Sequence, residues 1–333
     1  MRAVFVCEND YWIGQVFDRE ARKAIGDVVK LDETVYHKSD LLGSPERFAD
    51  VEIIFSTWGM PQLTEEEIHR CLPRLKCLFY GAGTVQAFAR PFLNCGVKVF
   101  SAWAANAVPV AELTVAQIIL ANKGYFLSNR LYHTQGRDAA HTAFRQCRGN
   151  YGQTVGIIGA GMIGRLVIQM LKQYRLQVVV FDPFLPDEKA AELGVKKCGL
   201  STLFEEAFVV SNHLANNAQT RGMLHYGLFS RMQENAVFIN TGRGAQVVEA
   251  DLVRILQERS DLTALLDVTD PEPPVEGHPF YTLPNCLLTP HIAGSAGDEV
   301  ARMGMYMAAE CKACLAGAPC QYEVTVKMLE TMA

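Results

Sequence analysis

Positive charge is scarce in this sequence: 31 Lys and Arg stand against 36 Asp and Glu, for a formal charge of −5. With no basic excess to hold a phosphate backbone or an anionic surface, neither nucleic acid nor a membrane is expected as a partner. Long apolar runs are scarce as well. The stretch from Val115 to Ala121 is broken by Gln117, and nothing reads as the roughly 20 apolar residues that span a bilayer. Only Val4, Phe5, Val6 and Cys7 precede acidic Glu8, too few for the apolar core of an export signal, so a cytoplasmic protein is expected. Ten cysteines are scattered singly from Cys7 to Cys320, and a chain with this much core has little need of disulfide staples, which fits reduced thiols. The one C-x-x-C, Cys311 to Cys314, falls in a helical pattern without a second Cys or His pair nearby, and reads as helix packing. The eight histidines show no metal spacing, and neither Gly-x-Ser-x-Gly nor His-Glu-x-x-His occurs. Serine-hydrolase and zinc-protease readings drop out, and no metal is expected.

What is present is an ordinary globular composition. Of 333 residues, 49% are apolar and 20% charged, enough for about two domains at roughly 150 residues each. In the middle of the chain, short β-branched runs alternate with helical periods, the rhythm of a parallel sheet. Val155 to Ile158 reads as a strand, Met162 to Tyr174 as a helix with Ile163, Leu166, Val167, Met170 and Leu171 on one side, and Val178 to Phe181 as the next strand. Further strands are expected at 208–211, 236–239, 263–266 and 286–288, and a helix at 248–259. The first hundred residues repeat the style with strands at 3–7, 53–56, 78–80 and 97–100 and a helix at 64–71. Two long helices, 108–123 with Pro109 near its first turn and 297–316, flank the central unit. If both cross between domains, residues 1–101 and 297–333 form one domain and 102–296 an inserted one. The expected fold is α/β, with two Rossmann-like doubly wound domains, the inserted one lying within a flavodoxin-like one.

Gly159-Ala160-Gly161-Met162-Ile163-Gly164 lies between an expected strand and an expected helix, the context that a dinucleotide fingerprint requires. The first glycine permits a tight turn, the second lets a pyrophosphate reach the backbone, and the third lets helix and strand pack closely. Asp182 ends the next strand 18 residues beyond Gly164, where a carboxylate accepts ribose hydroxyls and repels a 2′-phosphate, so NAD is expected rather than NADP. Three further groups follow strand ends: Arg243 in Asn240-Thr241-Gly242-Arg243-Gly244, Glu272 after Asp267, and His291 in Thr289-Pro290-His291. Each alone would be an ordinary loop residue. Together, in a chain with a nucleotide fingerprint, they match the reduction of a 2-keto acid: a proton donor for the carbonyl oxygen, a cation for the carboxylate and a carboxylate beside the acid. His291, Arg243 and Glu272 supply these in that order.

These motifs resemble the D-isomer-specific 2-hydroxyacid dehydrogenases, with high specificity from about Ser101 to Ala296. Asn106 to Thr114 is similar to the family's entry helix, 155–164 to its cofactor loop, and 210–214 with Thr220 and Arg221 to its third signature region. The segments 240–245, 266–273 and 289–294 are similar to those carrying its catalytic arginine, glutamate and histidine. The resemblance therefore implies Arg243, Glu272 and His291 in those roles. It implies NAD lined by Gly159, Gly161, Met162, Ile163, Gly164, Asp182, His213, Thr241, Asp267 and Gly294, with Asp267 beside the nicotinamide. Gly81-Ala82-Gly83 resembles the loop whose amides meet the substrate carboxylate, which puts Ala82 and Gly83 with Arg243 in substrate binding. A homodimer built through the cofactor domain is implied too.

The resemblance thins before about Ile53, and two segments depart from it: Thr84-Val85-Gln86, where many relatives carry an Asp-containing turn, and Ala215-Asn216-Asn217, where Leu-Pro is usual. Both bear on substrate identity. Formate oxidation is disfavoured, because that relative has glutamine at the place of Glu272. The competing class is an NAD(H)-sensing binding protein like the corepressors called C-terminal binding proteins; the lack of a long appended tail weighs against it. The expected activity is interconversion of a small 2-keto acid and its D-2-hydroxy acid, with His291 as acid and base. Trp58, and Tyr80 before Gly81, suggest an uncharged substrate side chain, or else simply pack the core.

Overall fold

The computed structural model describes residues 1–330, and the chain falls into two compact units: Met1–Ala107 with the residues from Ser295 onward, and Val108–Gly294. The first unit carries strands β1 (Arg2–Val6), β2 (Lys30–Tyr36), β3 (Val51–Ser56), β4 (Cys77–Tyr80) and β5 (Lys98–Ser101). The second carries β6 (Tyr151–Ile158), β7 (Arg175–Phe181), β8 (Lys196–Lys197), β9 (Val209–Asn212), β10 (Val237–Asn240), β11 (Thr263–Leu266) and β12 (Cys286–Leu288), and the chain returns to the first with β13 (Glu323–Val324).

The first sheet has the order β13-β5-β4-β3-β1-β2. Its five main strands are parallel and β13 joins antiparallel, so the arrangement is the flavodoxin-like one. Alternation along each strand divides its side chains between two cores: Val4 and Val6 face one, Ala3 and Phe5 the other. The register sets Phe5, Phe55, Phe79 and Phe100 side by side on four neighbouring strands. All four are fully buried, and the Phe79 and Phe100 rings stack at 4.6 Å.

The second sheet runs β12-β11-β10-β9-β6-β7-β8, parallel throughout. This is the Rossmann order, and it reverses between β6 and β9, where such sheets bind ligands beyond their carboxyl ends. Helices on both faces cover it, with Phe204, Phe229 and Phe238 in one core and Val167, Ile168 and Leu171 in the other.

The divide between the units falls at residues 107/108 and 294/295, not at 101/102 and 296/297. Ala102 and Ala105 are buried in the first unit's core, and Asn106 Oδ1 accepts the Ser295 N–H at 2.9 Å. The helix expected to begin at residue 108 spans Trp103–Asn122, with Pro109 in its interior. Proline has no N–H for the Ala105 carbonyl one turn back; the Arg302 guanidinium donates to that carbonyl at 3.4 Å. Against the expectation of none, this helix is long and apolar enough to cross a membrane by length and composition. Part of its apolar surface has protein partners, since Ala111, Ile118 and Ala121 lie in the second unit's core.

Candidate active site

The second unit's site grows from the carboxyl ends of its strands. Gly159, just after β6, has φ +89°, and a Cβ there would lie 2.8 Å from the His213 carbonyl oxygen. A Cβ on Gly164 would lie 2.0 Å from the Gly159 oxygen, so both positions require glycine for closeness. Gly161 differs: a Cβ there would point into open space. It caps the helix Met162–Leu171 with no side-chain cap, which leaves first-turn N–H groups for an anion. Asp182 accepts the Ala160 N–H at 2.8 Å on one oxygen and the Phe184 N–H at 2.8 Å on the other. Each oxygen retains a lone pair, so Asp182 both fastens the glycine turn and can accept a ribose diol. Near this turn, the His213 Nδ1 is buried without a hydrogen-bond partner among the described residues. Its Nε2 meets the Ser211 Oγ at 2.9 Å, and burial pushes the ring down to about 4, which keeps it neutral. Open space over Gly161, an uncapped helix start and a correctly placed acid fit a dinucleotide.

Three groups meet near the ends of β10, β11 and β12. His291 Nδ1 and Glu272 Oε1 lie 2.7 Å apart; a carboxylate only accepts, so Nδ1 carries the proton and Nε2 is left to exchange one with a ligand. Both side chains remain partly open to solvent. Arg243 is largely enclosed. Burial pulls its guanidinium below the usual arginine range, and the nearby Glu272 charge works against that pull. His291 and Glu272 are thus in contact, and Arg243 is near enough to feel the Glu272 charge.

Asp267 ties down the loop that carries His291. Oδ1 accepts from the Thr289 hydroxyl at 2.6 Å and the Ile292 N–H at 2.8 Å, and Oδ2 accepts the Ala293 N–H at 2.9 Å. Its carbonyl accepts the His291 N–H at 3.1 Å. These bonds hold His291 at φ 55°, a conformation that few side-chain-bearing residues adopt. Asp267 is therefore the clamp of the histidine loop. Thr241 is buried, with its hydroxyl 3.1 Å from that of Thr114, so any approach to a cofactor would be through its backbone. Met162 is exposed at the start of its helix, Ile163 is half-buried, and Gly294 ends the histidine loop.

In the first unit, the Gly81–Gly83 loop shows why its amides can meet an anion. Thr57 Oγ1 donates to the Gly81 carbonyl at 2.9 Å, and the Ser101 hydroxyl faces those of Ala82 and Gly83 at 2.9 and 2.5 Å. With these carbonyls turned toward buried hydroxyls, the Ala82 and Gly83 N–H groups have no backbone partner among the described residues. Sequence reasoning passed over Thr57 and Ser101, whose only signal is a polar residue at the inner end of an apolar strand. Tyr80 is 6% exposed and packs on Phe88 at 4.8 Å, so it belongs to the core. The ring that pairs with half-exposed Trp58 is Trp12, at 4.9 Å.

A groove of about 720 Å³ along the helices Tyr125–Gln135 and Arg137–Gln146 contains none of these residues. It has no acid paired with a base, and carries no catalytic reading. Among the described residues no group of three His, Cys, Asp or Glu could hold a metal.

Residues 115–293 match the family model described as the D-isomer specific 2-hydroxyacid dehydrogenase, NAD binding domain. A putative 2-hydroxyacid dehydrogenase, YoaD of Bacillus subtilis, is 33% identical over 60% of this chain and 58% of its own length. A D-3-phosphoglycerate dehydrogenase of Archaeoglobus fulgidus is 28% identical over 71% of this chain and 44% of its own. The chain thus spans about half the length of these curated relatives. The crystal structure of apo D-mandelate dehydrogenase from Rhodotorula graminis superposes with a TM-score of 0.82, covering 97% of each chain at 18% identity, a likeness of fold.

Proposed function

Because the chain belongs to the D-isomer specific 2-hydroxyacid dehydrogenase family and carries that family's NAD-binding domain, we propose that it interconverts a small 2-keto acid and its D-2-hydroxy acid. The observation that carries the reading is the 2.7 Å pair of His291 and Glu272 beside Arg243 at the strand ends of that domain. When bound, the nicotinamide supplies or takes the hydride at substrate C2. His291 gives a proton from Nε2 to the carbonyl oxygen in reduction and takes it back in oxidation, while Glu272 holds the ring through Nδ1. Arg243 grips the substrate carboxylate with its planar fork, and the Ala82 and Gly83 amides are the first unit's donors for the same kind of group. Thr57 and Ser101 keep those amides turned outward.

The substrate side chain is uncharged in this reading. Trp12 and Trp58 offer apolar surface, and the neighbouring Glu8 and Asp10 carboxylates, which flank His37 at 3.8 and 3.5 Å, would repel a phosphate. The ten cysteines are all free, which suits a reducing cytoplasm. A homodimer would cover the exposed Tyr125, Tyr132 and Phe144 of the second unit; light scattering coupled to size exclusion tests it, and a monomer at micromolar concentration would count against it. Steady NADH oxidation with a keto-acid panel tests the activity. Tight NADH binding without turnover on any member would favour the sensor class instead.

A further inference from the structure

Asn212 ends β9 and Asn240 ends β10, opposite each other in register, and Gln246 sits in the short turn Gly244–Gln246. All three side chains are buried, with 0%, 1% and 0% exposure. Asn212 Nδ2 donates to Asn240 Oδ1 at 3.0 Å and to Gln246 Oε1 at 2.5 Å. Gln246 Nε2 donates to the Leu214 and Ala215 carbonyls at 2.7 and 3.0 Å. Asn212 Oδ1 accepts the Leu214 N–H at 3.2 Å. The remaining bonds converge on one short stretch. Asn240 Oδ1 accepts the Gly242 N–H at 3.1 Å, Gln246 Oε1 accepts the Arg243 N–H at 3.3 Å, and Asn240 Nδ2 donates to the Arg243 carbonyl at 3.2 Å.

The main chain of Arg243 is thus held at both its donor and its acceptor by buried amides that are themselves cross-linked. The loop fits this frame closely. A Cβ on Gly242 would lie 3.1 Å from both Asn212 Nδ2 and Gln246 Oε1, and one on Gly244 would lie 2.0 Å from the Thr269 carbonyl carbon. The guanidinium leans on the same frame, with Nη1 donating to the Gly242 carbonyl at 2.7 Å. A core needing only to be filled could use apolar side chains here without the exacting requirement that every buried amide find partners. A fork that must meet a carboxylate with two parallel bonds needs its base fixed to a fraction of an ångström.

We propose that Asn212 and Gln246 are positioning residues for Arg243, setting the angle at which its guanidinium meets the substrate carboxylate. The inference rests on the reading of Arg243 as the carboxylate's partner. Gln246→Met keeps the length and removes the amide; Asn212→Leu cuts the frame at its other end. Each variant should raise the KM for a 2-keto acid and the inhibition constant of oxamate at least tenfold and lower kcat by a similar factor, while the dissociation constant of NADH, read by fluorescence, stays within twofold. Placed on Arg243→Lys, Gln246→Met should change kcat/KM by no more than a further twofold, because the fork it serves is already gone. Multiplying effects, or NADH affinity falling in step with KM, would reduce the network to general support and overturn the proposal. Amide hydrogen exchange of the peptide covering Gly242 and Arg243 should be slow in the wild type and fast in whichever variant folds. Fast exchange in the wild type overturns the proposal whether or not any keto acid is turned over. Absence of turnover with slow wild-type exchange refutes the functional reading while leaving the clamp on the loop in place.

Discussion

At His291, geometry and chemistry coincide: a left-handed backbone held by Asp267 sets the ring so that one nitrogen meets Glu272 at 2.7 Å and the other is left to a ligand. His291→Ala should lower kcat by about two to four orders of magnitude with a smaller effect on NADH affinity, the usual worth of a general acid. Stopped-flow and steady-state rates check this, and near-normal turnover would assign the proton to another group. Arg243→Lys keeps the charge and loses the fork, so kcat/KM for the keto acid should fall by about a hundredfold or more; full activity in that variant would remove the planar pairing. His213 makes a separate statement about stability. Burial lowers its imidazole from the ordinary histidine value of 6.5 to about 4. Between those values the unfolded chain binds the proton more readily, so stability complete above about pH 6.5 is lost as pH falls toward 4, by on the order of 3 kcal/mol at the limit. Urea midpoints measured from pH 7 to 4.5 should fall less steeply in His213→Gln than in the wild type. Parallel slopes would place the loss in other groups.

Among the elements, close packing sets the tightest constraints. Gly304, in the helix Glu299–Leu315, would place a Cβ 2.0 Å from the Val16 carbonyl oxygen. Gly304→Ala should cost about 1–3 kcal/mol by overpacking and lower the denaturant midpoint, leaving NADH affinity unchanged because the glycine loop belongs to the other unit. An unchanged midpoint would mean that the helix Glu299–Leu315 and the Val16 backbone can part at little cost. The strands most readable in the sequence were short apolar runs: Thr263–Leu266, buried throughout, and Cys286–Leu288, at the sheet edge, fall at the expected residues, and such runs led to most of the others within a few, though not to the two-residue strands Lys196–Lys197 and Glu323–Val324. β2 escaped because Lys30, Asp32 and Glu33 make it look like a loop, whereas an edge strand can carry charge that discourages further pairing. The helices Tyr125–Gln135 and Arg137–Gln146 escaped too, having few buried residues and no clear apolar stripe in the first. At the site, Arg243, Glu272 and His291 were legible as polar side chains following strand ends, which is where the fold puts them. The parts of Asp267, Asn212, Gln246, Thr57 and Ser101 were not, since hydrogen bonds between distant loops leave no spacing to read.

Taken whole, the molecule has a Rossmann unit carrying the glycine fingerprint, the His291–Glu272 contact and Arg243, and a flavodoxin-like unit carrying an amide-presenting loop and two paired tryptophans. On the proposed reading of an uncharged substrate side chain, pyruvate-like, glyoxylate-like and aromatic keto acids should each exceed 3-phosphohydroxypyruvate in kcat/KM. A panel led by the phosphorylated acid would reverse that assignment. With Asp182 at the ribose position, NADH should be preferred to NADPH, and Asp182→Ala should narrow the gap. The central claim concerns the catalytic pair, and its most direct test is the rate of NADH oxidation by pure protein across an unphosphorylated 2-keto acid panel, run beside His291→Ala and with the product's configuration determined. Turnover on at least one acid, a D-2-hydroxy product and a loss of about a hundredfold or more in the variant are expected; an L-product, or equal rates in both proteins, would overturn the assignment of His291.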